Sequence, residues 1–203
     1  MRLFTSVGPN PRVVTLFMAE KGIELPTETV DIMKAENRQP AYLSKNPVGG
    51  TPMLELDDGS CVAESVAICE YLEELHPAPA LIGATPEERA GTRMWVRRID
   101  IGYVQPSVFA FRGGPALALF KDRMVVVPEA VSGMTKVAAE GLAVIDAQLG
   151  KGAFMCGDRF SLADVVLASF HDFAGAIGTP MSSQFANIAA WRERLAQRPA
   201  FAV

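Results

Sequence analysis

Histidine, cysteine and long apolar runs are all scarce in this chain, and each shortage removes a class of function. Among 203 residues there are two histidines, His76 and His171, and three cysteines, Cys61, Cys69 and Cys156. The cysteine count is odd and no pair has C-x-x-C spacing, so neither a disulfide framework nor a cysteine-rich metal site is expected. Two histidines supply a zinc site poorly, and no metal is expected. The thiols read instead as small buried hydrophobes. No run of about 18 uncharged apolar residues occurs, which argues against a membrane span. Lys and Arg total 19 against 23 Asp and Glu, a net charge of −4 with no basic run. Phosphate recognition needs a concentrated basic surface, so no nucleic-acid partner is expected. The start, Met1 to Ser6, lacks the apolar segment of about 7–15 residues that marks a signal peptide, and a cytosolic protein is expected.

What is present suffices for a core, since 49% of the residues are hydrophobic. Arg2 to Phe4 reads as a short strand. Ser6 to Pro11 is a loop rich in Gly, Pro and Asn. A helix follows, with Pro11 in its first turn and Gly22 as its stop. Glu24 to Asp31 is the next strand region and Gln39 to Lys45 a short helix. Met53 to Leu56 and Ser60 to Ala63 form a hairpin around Asp57-Asp58-Gly59. Glu64 to Leu75 is a helix with Val66, Cys69, Leu72 and Leu75 on one side. The order β-α-β-α-β-β-α predicts a mixed sheet with helices on its faces. A proline-bearing segment follows, and then the pattern becomes helical. A long helix opens at Pro86-Glu87-Glu88, to be bent or ended by Pro106. Arg112 to Pro115 breaks the pattern. Further helices span Pro128 to Leu149, Ser161 to Ile177 and Asn187 to Gln197. Ser161 and Asp164 have capping-box spacing, a folding role.

Three motifs in chain order, with a further pattern at the first helix, carry a resemblance. Asn46-Pro47-Val48-Gly49-Gly50-Thr51-Pro52-Met53-Leu54, then Glu64-Ser65 opening a helix, resembles the glutathione-site signature of glutathione transferases. Gly157-Asp158-Arg159-Phe160-Ser161-Leu162-Ala163-Asp164 is similar to that family's helix-capping motif. Asn10-Pro11-Arg12-Val13-Val14-Thr15-Leu16-Phe17 resembles a pattern of the bacterial nu-like group. The resemblance implies an α/β thioredoxin-like N-terminal domain with a mixed sheet (residues 1–76), a linker (77–85) and an all-α C-terminal domain (86–203). It also implies glutathione as co-substrate, a hydrophobic electrophilic small molecule as second substrate, a detoxifying activity and a homodimer.

The resemblance assigns residues too. Pro52 is cis in the family, so that the Thr51 backbone can pair with the cysteinyl part of glutathione like a neighbouring strand. Ser65 and its N–H would hold the γ-glutamyl carboxylate at a helix start, with Glu64 toward the ammonium; Ser65 as a plain helix cap is the alternative. The family stabilises the glutathione thiolate with a Tyr, Ser or Cys in the loop before the first helix. Here that loop, Thr5 to Arg12, has neither Tyr nor Cys, and Gly8 stands at a position that often carries a hydroxyl or thiol. Asn10, an amide donor, is the first candidate for the thiolate partner, Ser6 the second and the loop N–H groups the third. A helix cap is the alternative for Asn10. Tyr103, Phe109, Phe111 and Arg112 are candidates for the second-substrate wall, or else core. Trp95 and Trp191 read as core. Arg12 reads as a ligand contact or a solvated residue, and Asn37 and Arg38 as contacts to the glycyl end. Without a loop cysteine, thiol transfer through a protein cysteine is not expected. A glutathione-dependent disulfide-bond reductase or a non-catalytic binding protein are the alternatives to a transferase.

Overall fold

A computed structural model describes residues 1–177 and 184–201; positions 178–183 and 202–203 of the expected helical domain lie outside the described residues. The sheet is built around β1 (Arg2–Thr5). Successive side chains of a strand point to opposite faces, and both Leu3 and Phe4 are buried. Leu3 enters the main core, while Phe4 packs with Val30, Tyr42 and Met53 on the other face. β1 pairs parallel with β2 (Thr27–Thr29) and antiparallel with β3 (Met53–Glu55), which pairs antiparallel with β4 (Cys61–Ala63). The order β2-β1-β3-β4 is the mixed sheet that the sequence predicts. β2 is shorter than Glu24 to Asp31, because Pro26 has no N–H to give a ladder.

The first helix, α1 (Pro9–Lys21), starts two residues earlier than expected: Pro9, not Pro11, takes the first position after Gly8. It ends at Gly22, whose φ of 65° is the left-handed cap expected there. Its buried residues, Pro11, Val13, Val14, Leu16, Phe17 and Met18, leave little of the circumference to solvent. Accordingly α1 is packed between two helices, α3 (Ser65–Leu75) and α8 (Leu162–Ala176). A short helix, α2 (Pro40–Leu43), follows a 3-10 turn at Glu36–Arg38. In α3 the inward residues are Ser65, Ile68, Cys69 and Leu72, whereas Leu75 is exposed. A spacing of three falls short of a full turn by about 60° per step, so a row of threes drifts round the helix.

The segment after α3 is pinned. Glu73 accepts the N–H groups of Leu81 (3.4 Å) and Ile82 (2.8 Å), and the Lys21 ammonium lies 2.6 Å from the same carboxylate. Lys21 also donates to the Pro79 carbonyl at 2.6 Å. Both side chains of this ion pair are almost wholly buried, 0% and 2% exposed.

The helical half begins with α4 (Pro86–Ile99), where Glu88 N–H donates to the Thr85 hydroxyl cap at 3.2 Å. Of the bend or end expected at Pro106, the end is not found, and the helical run carries on. A π-turn at Asp100–Val104 leads straight into α5 (Gln105–Gly113), opening the hydrogen-bond ladder where the proline lacks its N–H. Next come α6 (Leu117–Phe120), α7 (Val131–Leu149), α8 and α9 (Ala186–Leu195). The expected start at Pro128 is a 3-10 turn, Pro128–Ala130, leading into α7. Ser161 caps α8 as expected: Asp164 accepts the Ser161 N–H at 3.0 Å. Asp164 also accepts the Met155 N–H and the Trp191 indole N–H, each at 2.9 Å. One continuous apolar core joins α1 and α3 to α4, α7, α8 and α9.

Candidate functional site

Two hydroxyl contacts tie the stretch from Ser6 to Asn10 to the Thr51 loop and to the start of α3. Ser6 Oγ, in the loop after β1, lies 2.6 Å from Thr51 Oγ1, and Ser65 Oγ at the start of α3 donates to Asn10 Oδ1 at the start of α1 (3.3 Å). The expected residues thus meet in two pairs, Ser6 with Thr51 and Asn10 with Ser65, 45 and 55 positions apart in the chain. Gly8 and Pro52 are beside them in the chain, and the Thr51–Pro52 bond is cis. Glu64, exposed, has a φ of 71° just before α3. Such a value is uncommon outside glycine and clusters at ligand-binding positions. The cap position of α3 is therefore Glu64, and Ser65 is the first helical residue rather than the cap.

At the start of α1 the cap position is Gly8, not Asn10, and no side chain caps the helix. Gly8 has a φ of 127°, which side-chain-bearing residues rarely adopt. Proline at positions 9 and 11 leaves Asn10 as the sole N–H carrier among the first three residues of α1. Asn10 is exposed, its Oδ1 is engaged by Ser65, and its Nδ2 pair has no partner among the described residues. No acidic side chain lies in that first turn, so the positive pole of α1 is uncompensated there.

The loop before Thr51 is held by its carbonyls. Asn37 Nδ2 donates to Gly49 O (2.7 Å) and Arg38 Nη1 to Val48 O (3.0 Å). Tyr42 Oη and Asn46 Nδ2 both donate to Gly50 O, at 2.7 and 2.9 Å. A Cβ at Gly49 would lie 2.9 Å from Arg38 and from the Asn37 carbonyl, so the loop closes only over glycine. Asn46 entered the sequence reading only as the start of the signature and Tyr42 not as a site residue, since each acts through a backbone carbonyl that no side-chain motif reveals. Past this loop, the Thr51 N–H and C=O have no hydrogen-bond partner among the described residues.

Asn10 and Ser65 also line a cleft of about 260 Å³, with apolar walls from Val66, Val96 and Val166 and a charged mouth at Glu70, Arg93, Arg97 and Asp100. On the helical side, Arg12 is partly exposed but not free. Its Nη2 donates to Asp172 of α8 at 2.8 Å, and Arg192 of α9 donates to the other oxygen at 3.1 Å. Burial raises the Asp172 pKa, but His171, Arg192 and Arg12 outweigh it and hold the carboxyl below its ordinary value. Next in the chain, Phe173 meets Phe111 edge-on at 5.2 Å, and Phe111 meets Phe120 at 6.3 Å. Of the other expected wall residues, Tyr103 is buried in the core, with burial pushing its hydroxyl pKa up to about 12. Phe109 points outward, about half exposed. Trp95 and Trp191 are core, as expected. Among the described residues no group of His, Cys, Asp and Glu could hold a metal, and no helix is long and apolar enough to cross a membrane.

The same arrangement of motifs recurs in known proteins. Residues 1–74 match the N-terminal domain of glutathione S-transferases, and residues 127–199 the C-terminal domain. Glutathione S-transferase 2 of Saccharomyces cerevisiae is 31% identical, over 96% of this chain and 84% of its own length. The crystal structure of a glutathione S-transferase domain-containing protein from Marinobacter aquaeolei superposes with a TM-score of 0.89 at 33% identity, covering 99% of this chain and 100% of that one. A glutathione transferase from Phanerochaete chrysosporium, solved in complex with oxidized glutathione, gives 0.82 at 25% identity over 99% of this chain and 92% of that one.

Proposed function

We propose, on the premise that the chain belongs to the glutathione S-transferase family, that it binds glutathione and directs the tripeptide's thiolate at a small apolar electrophile. The observation that carries this is the unpaired backbone of Thr51 beside the uncapped start of α1. A peptide laid along Thr51 pairs with a free N–H and C=O as an added strand. Its cysteinyl sulfur then falls toward the positive pole of α1, and the cleft beyond Ser65 receives the γ-glutamyl arm. Ser65 holds the carboxylate of that arm, and Glu64 faces its ammonium.

Thiolate is the reactive form, and donors near sulfur raise its population. The Ser6 hydroxyl has partners within the protein at both the Val7 carbonyl (3.2 Å) and the Thr51 hydroxyl (2.6 Å), whereas Asn10 Nδ2 and the N–H groups of Gly8 and Asn10 have none among the described residues, so these last are the first donors for sulfur. Ser6 acts by positioning Thr51. The aromatic edge formed by Phe111 and Phe173 supports an apolar second site on the helical side. Exposed apolar side chains at Val48, Met94 and Ile101 support a homodimer, checked by sedimentation equilibrium.

Calorimetric titration with glutathione, followed by thiolate absorbance of the complex across pH, tests the reading. The bound thiol should titrate well below free glutathione. Asn10→Ala should raise its pKa by about one unit, or ~1.4 kcal/mol. Ser6→Ala should weaken binding more than it shifts the pKa. Binding with an unshifted pKa would favour a glutathione-binding protein without turnover, and no binding at about millimolar ligand would overturn the proposal.

A further inference from the structure

Arg112, near the end of α5, has no counterion among the described residues. It is half-buried, and among the described residues it makes no hydrogen bond and no ion pair; its guanidinium rests on the face of Phe120 at 5.4 Å. Two neighbouring cations are already occupied. Arg38 donates to the Val48 carbonyl, and Arg123, just past α6, donates to the carbonyls of Ile32 and Met33. These last bonds tie the chain just past α6 to the segment that follows β2 in the first domain. Burial, and then the like charge of Arg38, lower the Arg112 pKa. A desolvated guanidinium beside a second one is unfavourable until an anion arrives. Guanidinium is also the side chain suited to two-pronged recognition of carboxylate. The aromatic rings of Phe111, Phe120 and Phe173 lie around the same spot.

We infer that Arg112 receives a carboxylate carried by the second substrate, so that the electrophile is an organic acid with an apolar body rather than a neutral hydrocarbon. The inference rests on the transferase reading above for the reaction, and on the geometry alone for the anion site. The apolar body lies on the Phe111–Phe173 edge, and its acidic end reaches back to Arg112.

A matched pair of probes separates these terms: a chlorodinitrobenzoate and its methyl ester. In either, the glutathione sulfur bonds to the ring carbon, the C–Cl bond breaks, chloride leaves with the electron pair, and the thiol proton goes to solvent. In Arg112→Gln the ratio of kcat/KM for acid over ester should fall about tenfold, chiefly through the KM of the acid, with partial recovery in Arg112→Lys. In the unmodified protein, added salt should weaken the acid more than the ester, which needs no variant to fold. Acid and ester falling together would reduce Arg112 to a wall residue and overturn the inference. So would a rise in the KM for glutathione, which would assign Arg112 to the tripeptide's own carboxylate. If neither probe turns over, the transferase reading fails by itself. Calorimetry with dinitrobenzoate and methyl dinitrobenzoate on glutathione-loaded protein then decides the anion site. Tighter binding of the acid, lost in Arg112→Gln, supports it, and equal binding of the two overturns it.

Discussion

A hydroxyl side chain cannot simply be put back at position 8. The φ of 127° at Gly8 lies in a region that side chains disfavour, although a Cβ there would meet no atom within 4 Å. Space is available and backbone conformation is not. Gly8→Ser, the obvious attempt to supply a hydroxyl donor, should therefore cost about 1–2 kcal/mol of stability without raising turnover. A urea melt paired with a thiol titration checks both halves of that statement. Asp172 is the second residue whose charge is legible in a measurement. Its folded-state pKa is depressed, so its contribution to stability is present above the ordinary carboxyl value of 3.8 and is lost as pH falls through the folded value. Below about pH 4 the protein should lose stability steeply, and Asp172→Asn should flatten that limb of the urea-midpoint curve.

Elements were legible where local signals decide them. Gly22 ends α1, Gly59 turns the hairpin with a φ of 83°, and Ser161 with Asp164 opens α8, each through chemistry contained in a few consecutive residues. Thr51, Glu64 and Ser65 were singled out as a group only through the resemblance, and their roles belong to the proposed function. What failed to show was pairing across the chain. Nothing near Arg12 points to Asp172, 160 residues away, and nothing near Lys21 points to Glu73. The passage through Pro106 was hidden as well, because a proline marks where the ladder must open but not whether the chain ends there or runs on through a π-turn. The buried Lys21–Glu73 pair carries its own test. Glu73→Leu leaves an uncompensated ammonium and strips the N–H groups of Leu81 and Ile82, and should cost about 3–5 kcal/mol. Adding Lys21→Met removes the stray charge but not the orphaned amides. The double variant should thus remain about 1–3 kcal/mol below the parent in urea midpoint measurements. Full recovery would show that the carboxylate serves only as a counterion.

For the molecule as a whole, the distribution of burial over the helices matters most. α1 has six buried residues on several sides and is wedged between α3 and α8, which belong to different halves of the chain. By contrast α5 buries only Pro106 and Gly113, and α6 buries none of its residues. Local opening draws on the least buried elements first. In native-state hydrogen exchange the amides in the middle of α1 should exchange only with global unfolding, while those of α6 and the end of α5 should exchange by small local openings. Comparable protection in the two regions would contradict this division.

That division has a consequence for change over evolutionary time. The start of α1, where sulfur would be activated, is the end of a post fixed from both halves, and almost any substitution along the post is felt throughout the fold. The corner carrying Phe111, Arg112 and Phe120 is loosely moored and tolerates exchange. On the proposed reading, reactivity would thus be the inherited constant of this architecture, and the choice of what is attacked its adjustable part, open to revision one side chain at a time.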